Sequence, residues 1–257
     1  MSDLPRALID RLRAASHLVV LTGSGVSAAS GIPTFRGTGD GLWSRYRPED
    51  LATPEAFARD PALVWQWYQW RRSLIDAAPP NPAHVAIAAL ARRLPLVTLI
   101  TQNVDGLHQR AGSQGVIEFH GNIHRNRCDT HGVQEVDVVG RQLPPQCPHC
   151  ERLLRPDVVW FGEAIPPAAL QASQDAVLSC DAMLVAGTAG QVYPAAGLAE
   201  LAAQRGALLI EANIEPTPLT SLMDYCLSGP SDRHLPQLHE ALTQAERDSQ
   251  QTPSVRL

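Results

Sequence analysis

The 257-residue chain contains no lysine; all 21 of its basic residues are arginine. It therefore offers no side-chain amine for modification. It also lacks a basic block, and 21 basic against 26 acidic groups leave a net charge of −5. Such a field does not draw a polyanion, so nucleic acid is not expected as a partner. Long apolar runs are missing too: none reaches the roughly 18 uncharged residues of a membrane span, and Asp3 and Asp10 stand where a signal peptide needs an apolar stretch. The chain is thus expected to be cytoplasmic, with no membrane partner. Charged residues make up only 18% and hydrophobic residues 44%, the composition of an ordered protein able to bury a large core. No repeat or low-complexity tract occurs, and the length suits one large domain or a main domain with a smaller insert. Nothing in the sequence sets the oligomeric state.

Short β-branched or Leu-rich runs recur at residues 17–22, 96–101, 182–186 and 207–210, the first three followed by a Gly-containing turn and helix-like sequence. Amphipathic stretches at helical spacing cover 4–15, 82–93, 194–204 and 232–244, the first with Ser2 or Asp3 as a possible cap. This rhythm predicts an α/β fold with a doubly wound, Rossmann-like parallel sheet. Two segments break it: 39–80 turns aromatic and helical, and 127–155 is loop-rich with Cys, His and Pro. They are read as a smaller inserted lobe, helical and zinc-binding. The main domain then comprises 1–38, 81–126 and 156–246, and the polar segment 247–257 is read as a frayed tail.

The chemistry begins after the first strand, with Gly23-Ser24-Gly25-Val26-Ser27 and, further on, Gly31-Ile32-Pro33-Thr34-Phe35-Arg36. Glycines at that place let the backbone approach a pyrophosphate at a helix N-terminus, which points to a dinucleotide. The third Gly of the ordinary fingerprint is replaced by Ala28 or Ala29, so the glycines alone leave a plain strand-to-helix turn open. Asn103 and Asp105 follow the second strand, where an amide and a carboxylate can hold a carboxamide; for Asp105 an Asx-type turn opening a helix is an equal reading. His120, between residues 116–119 and Gly121, has a side chain that ordinarily takes a proton near neutral pH.

These residues, with Thr101-Gln102-Asn103-Val104-Asp105-Gly106, Phe119-His120-Gly121-Asn122, residues 156–163, Gly187-Thr188-Ala189-Gly190, and Asn213 with Glu215, resemble the sirtuins, NAD-dependent protein-lysine deacylases, over nearly the whole chain. The resemblance implies NAD as a consumed co-substrate and acylated-lysine proteins or peptides as partners. In the implied reaction the acyl oxygen attacks the ribose carbon that bears nicotinamide. His120, chosen over His108 and His124 by its motif, then acts as general base, and free lysine, nicotinamide and O-acyl-ADP-ribose result. Asn103 and Asp105 are expected in catalysis. Gly23, Ser24, Gly25, Ser27, Phe35, Arg36, Gln102, Asn103, Asp105, Gly187, Thr188, Asn213, Glu215 and Ser231 are expected at the cofactor, with Phe35 shielding the ribose face. Val158, Trp160, Phe161, Gly162 and Val192 are expected at the substrate peptide, held as a strand between 158–163 and 190–193. Two departures from the family pattern, Ser24 for Ala and Ala189 for Ser, give slight support to an alternative: a mono-ADP-ribosyltransferase or NAD-sensing module on the same cleft. A nicotinamide oxidoreductase is allowed by fold alone.

Cys128-x2-His131, fifteen residues, then Cys147-x2-Cys150 supply two tight-turn pairs, the way a chain presents four ligands to one structural zinc. The family pattern has four Cys, so His131 stands in for one; loss of zinc, with the pairs as remnants, is the other reading. His149 is expected to point outward. Tyr68 and Arg71, three apart on one helix face, match the Tyr-x-x-Arg pair of sirtuins that accept acidic acyl groups. This implies removal of succinyl and malonyl groups alongside acetyl. The plainer reading packs Tyr68 with the Trp residues and gives Arg71 a surface ion pair. Arg72, one step round, is expected to be solvated.

Overall fold

The computed structural model describes residues 4–33, 48–138 and 143–251. The first amphipathic stretch folds as α1 (Arg6–Ala14), with Leu8, Ile9 and Leu12 buried. Its N-cap is Pro5 with no side-chain cap; the expected caps Ser2 and Asp3 lie outside the described residues. β1 (Leu18–Thr22) is buried at every position and leads into a 3-10 helix, Ser24–Ser30. Three helices follow, each opened by proline at its first turn: α2 (Pro48–Leu51), α3 (Pro54–Arg59), capped by Thr53, and α4 (Pro61–Ala77), capped by Asp60. α5 (Pro82–Leu90) starts from a capping box in which the Asn81 side chain and His84 satisfy each other's backbone ends. Then come β2 (Val97–Thr101), the short α6 (Leu107–Arg110) and β3 (Ile117–Glu118).

The second half opens with three strands, β4 (Gly121–Cys128), β5 (Gly132–Gln134) and β6 (Arg155–Val158), and continues with α7 (Pro167–Ser179), β7 (Ala182–Ala186), α8 (Ala195–Gln204) and β8 (Leu208–Asn213). It closes with β9 (Tyr225–Ser228) and α9 (Ser231–Gln251). The last helix is longer than the apolar period suggested, so residues 247–251 are helical where fraying was expected.

Among the described residues the parallel sheet has strand order β3-β2-β1-β7-β8-β9. That is a doubly wound sheet whose order reverses between β1 and β7, paired from Leu18↔Ala182 to Thr22↔Ala186. Alternate residues of each strand enter different cores. Leu18, Val20, Leu184 and Ile210 pack with α1, α5 and α9; Val19, Leu21, Val185 and Leu209 pack with α7 and α8. Both faces are covered, which is why the central strands read as continuous apolar runs. Ligands of such sheets sit beyond the strand C-termini at the reversal point.

β4 pairs antiparallel with β5 and β6 in a separate small sheet. Its apolar side and α2–α4 form a third cluster containing Leu51, Val64, Trp67, Tyr68, Ile123 and Trp160. A fourth joins Trp65 to Cys128, Cys147 and Leu154, with the Trp65 indole donating to the Leu154 carbonyl at 2.8 Å. The expectation for Arg72 was wrong. It is 7% exposed, donates to the carbonyls of Ile123 (2.6 Å) and Arg125 (3.1 Å) and to Asn126 Oδ1 (3.0 Å), and lies over the Trp65 ring. Burial draws its pKa down to about 10, so it is still cationic at neutral pH. The irregular register of β4 between Asn122 and Asn126 leaves acceptors that this guanidinium fills.

Candidate active site

Beyond the C-terminal ends of β1 and β7 the two segments meet backbone to backbone. Gly25 N–H donates to the Gly187 carbonyl at 2.8 Å. A Cβ on Gly25 would lie 2.8 Å from that oxygen, and one on Gly187, whose φ is +58°, would lie 2.4 Å from Val26 N. These glycines are therefore demanded by the neighbouring strand end, and the groove that results is open to a ligand. It widens into a cleft of about 630 Å³. Gly23, Ser24, Gly25, Gln102, Asn103, His120, Gly187, Thr188, Asn213 and Glu215 line it, as do Tyr68, Val158, Trp160, Phe161, Gly162 and Val192.

Gln102 ties the strand ends together. Its N–H donates to the Thr22 carbonyl (2.9 Å), its side-chain amide to Thr188 Oγ1 (3.0 Å), and its carbonyl faces His120 Nδ1 (3.1 Å). A carbonyl can only accept, so Nδ1 carries the proton and Nε2 keeps its lone pair. Burial holds the His120 pKa below the ordinary 6.5, partly opposed by that hydrogen bond. On the far side, Asn213 Nδ2 donates to the Thr188 carbonyl (2.7 Å). The wall after Asn213 is anchored by Glu211, buried, which accepts from Thr217 Oγ1 (2.6 Å) and Thr220 Oγ1 (2.5 Å).

Beneath Asn103 lies a polar floor. Asn103 Nδ2 donates to the Gly23 carbonyl and to Ser27 Oγ, both at 3.1 Å. Ser27 Oγ donates to Asp105 Oδ2 at 2.7 Å, and Asp105 Oδ1 accepts from Leu107 N at 2.9 Å. Asp105 thus makes the Asx-type turn that opens α6 and also joins the floor. His84 accepts the Asn81 N–H on Nδ1 (3.2 Å) and so turns Nε2–H toward Ser27 Oγ, 3.4 Å away. Its pKa is pulled down to about 4 by burial, with Asp105 opposing, and that of His108, deep behind Thr22, to about 3. Neither protonates near neutrality, and neither lines the cleft, whereas His120 does.

Cys128, His131, Cys147 and Cys150 also converge, their ligand atoms all within 4.8 Å of one another. Cys128 Sγ is 3.6 Å from both His131 Nδ1 and Cys150 Sγ, and Cys147 Sγ is 3.6 Å from His131 Nδ1. A tetrahedral zinc with ordinary Zn–S and Zn–N bonds spaces its ligands about 3.6–3.8 Å apart, so this set fits one structural ion. His149 is exposed, as expected.

Residues 23–194 match the family model described as the Sir2 family. The NAD-dependent protein deacylase 2 of Pyrobaculum aerophilum is 51% identical over 94% of this chain and 97% of its own. Two solved Sir2 homologues, each 46% identical, superpose closely. One, a mutant in complex with 2'-O-acetyl ADP ribose, has a TM-score of 0.89 over 98% of this chain and 100% of its own. The other, in complex with NAD, has a TM-score of 0.88 over 95% and 96%. The chain belongs to the Sir2 family.

Against this Sir2 frame, some expected residues stand apart from the cleft lining. Ser27 and Asp105 form the floor behind it. Ser231 is buried at the start of α9 and Arg71 is buried in α4. Phe35 and Arg36 lie outside the described residues. Sequence reasoning missed His84 and Glu211. An Asn-Pro helix start at Asn81 was readable and puts His84 at the third helical position; nothing in the local pattern marks Glu211. For the Sir2 zinc module, protein purified without added metal should contain about one zinc per chain by elemental analysis. His131→Ala should lower that occupancy and the thermal midpoint, because removing one of four ligands opens a closed site. Unchanged zinc in His131→Ala would exclude His131 as a ligand.

Proposed function

We propose that this protein is an NAD-dependent protein-lysine deacylase acting on acetyl and on acidic acyl groups. The observation that carries the reading is His120, its Nδ1 fixed on the Gln102 carbonyl and its other nitrogen available at a cleft whose floor holds Asn103 and Asp105. The glycine cradle at Gly25 and Gly187 and the polar side chains of Thr188 and Asn213 suit a dinucleotide lying across the sheet reversal. NAD, when bound, supplies the ribose carbon that takes the acyl oxygen as nicotinamide leaves, and the hydroxyl that then attacks the acyl carbon. In this assignment Asn103 and Asp105 orient the carboxamide, Ser27 holds both, and His120 Nε2 takes the hydroxyl proton. Val158, Phe161, Gly162 and Val192 flank the peptide, whose main chain provides recognition with weak sequence preference. Unpaired cysteines throughout suit the reducing cytoplasm.

The acidic-acyl part rests on Tyr68 and Arg71. Tyr68 reaches the cleft while packing edge-on against Trp67, ring centroids 4.7 Å apart. Arg71 is 8% exposed, so it is buried in α4 and not a solvated surface charge. Burial lowers its pKa, opposed by Tyr68 and Asp105. A buried guanidinium beside a phenol suits the terminal carboxylate of a succinyl or malonyl chain.

Mass spectrometry of acyl-lysine peptides incubated with and without NAD tests the reading directly. Deacylated peptide and O-acyl-ADP-ribose should appear only with NAD, and nicotinamide release should require the acylated peptide; release without peptide would favour ADP-ribosyl transfer. His120→Ala should slow turnover by about 10²–10⁴. Because burial lowers the His120 pKa, the base stays neutral below pH 6.5, and the acid limb of kcat/KM should be centred under that value. A limb at or above 6.5 would contradict the assignment. Arg71→Met should cut kcat/KM for succinyl-peptide about tenfold, a loss of about 1.4 kcal/mol, and acetyl-peptide far less; equal losses would make Arg71 a support of the helix only.

A further inference from the structure

Trp160 is 2% exposed, yet it belongs to the cleft wall, and its indole Nε1 lies 2.9 Å from Tyr68 Oη. Indole N–H donates and never accepts. The phenol oxygen is therefore the acceptor in this bond, and its own proton must turn elsewhere. No second partner for that hydroxyl occurs among the described residues. Burial pushes the Tyr68 pKa up to about 12, so the proton is retained at any pH at which the protein works.

The indole itself is clamped. The Arg155 guanidinium carbon sits 3.5 Å from the Trp160 ring centroid, and the same guanidinium gives paired hydrogen bonds to Glu163 at 2.5 and 2.7 Å and a third to the Val158 carbonyl at 2.9 Å. Glu163 in turn accepts the Trp160 backbone N–H at 2.8 Å, and Phe57 packs against the ring at 5.3 Å. Rotating the indole would give up the stacking on Arg155 and leave buried groups unpaired, so its N–H direction is fixed by the fold.

We propose that Trp160 is a positioning residue for acyl-chain specificity: its indole N–H occupies the Tyr68 oxygen and so aims the Tyr68 proton into the cleft, as a donor to an oxygen of the bound acyl chain. The role rests on the acidic-acyl reading above. It adds a neutral donor beside Arg71, and it makes the pair Trp160 and Tyr68 act as a unit whose effect on an acyl chain bearing a terminal carboxylate exceeds that on acetyl.

A double-mutant cycle with Trp160→Phe and Tyr68→Phe tests this, measuring KM and kcat on succinyl- and acetyl-lysine peptides. Each single change should raise the ratio of succinyl KM to acetyl KM by about fivefold, the loss of one hydrogen bond, and the double variant should raise it no further. KM values rising in step on both peptides, or ratio effects that multiply in the double variant, would overturn the proposal. A second readout covers the case in which Trp160→Phe folds poorly. In ¹⁵N-labelled protein, Tyr68→Phe should shift the Trp160 indole N–H resonance upfield and speed its solvent exchange, and an unmoved resonance would overturn the assigned bond. Failure of the wild type to turn over succinyl- and malonyl-peptide would remove the acidic-acyl reading and with it the specificity role, while the indole resonance would still show whether the phenol oxygen is held.

Discussion

The Ser27 hydroxyl has one proton and two lone pairs, and the fold uses all three. It donates to Asp105 and accepts from Asn103 and His84. Its three partners come from different places: Asn103 and Asp105 from the turn after β2, and His84 from the first turn of α5. The His84 proton faces Ser27 because its other nitrogen closes the capping box of that helix. Helix start, strand end and cleft floor are thus one hydrogen-bonded object. In a site this buried each partner left alone would cost about 1–3 kcal/mol, so the floor is formed completely or not at all.

Above this floor the cleft exists because β1 and β7 diverge after touching at Gly25 and Gly187. The reversal of strand order sends their connections to opposite sides of the sheet, and the small antiparallel sheet with α2–α4 closes the remaining side. Two buried arginines hold that closure. Arg72 fills the irregular stretch of β4 from α4, and Arg155 fixes the loop that carries Trp160 and Phe161. Neither touches the polar floor, yet each sets where a wall of the cleft stands. The cluster of Cys128, His131, Cys147 and Cys150 docks on the same lobe through Trp65, so a zinc held there would support α4 and lie outside the lining of the cleft.

Much of this was legible in the sequence because the buried central strands are continuous apolar runs and β1, β2 and β7 end at Gly-containing turns. β9 was missed: Tyr225–Ser228 is an edge strand with Leu227 alone buried, so it carries no apolar run. α7 was missed because its apolar positions, largely alanine, give a weak helical stripe. The helix expected after β1 is a 3-10 helix, with Gly25 held down on Gly187. Arg72 was misjudged for a reason that sequence cannot supply: neighbours on a helix surface differ by about 100°, and both Arg71 and Arg72 are buried because α4 is packed on more than one side. Motif matching located the cleft lining, but the buried supports, His84, Arg155 and Glu211, depend on distant chain segments meeting.

In the proposed reaction the Ser27-centred floor orients Asn103 and Asp105, the groups assigned to nicotinamide release. Its most direct test is the rate of nicotinamide formation by Ser27→Ala with NAD and acyl-peptide, followed chromatographically in protein whose zinc content and circular dichroism match the wild type. Losing the hydroxyl removes one hydrogen bond from each of Asn103 and Asp105, and the rate is expected to fall at least about tenfold, the equivalent of about 1.4 kcal/mol. Nicotinamide release at the wild-type rate would contradict it.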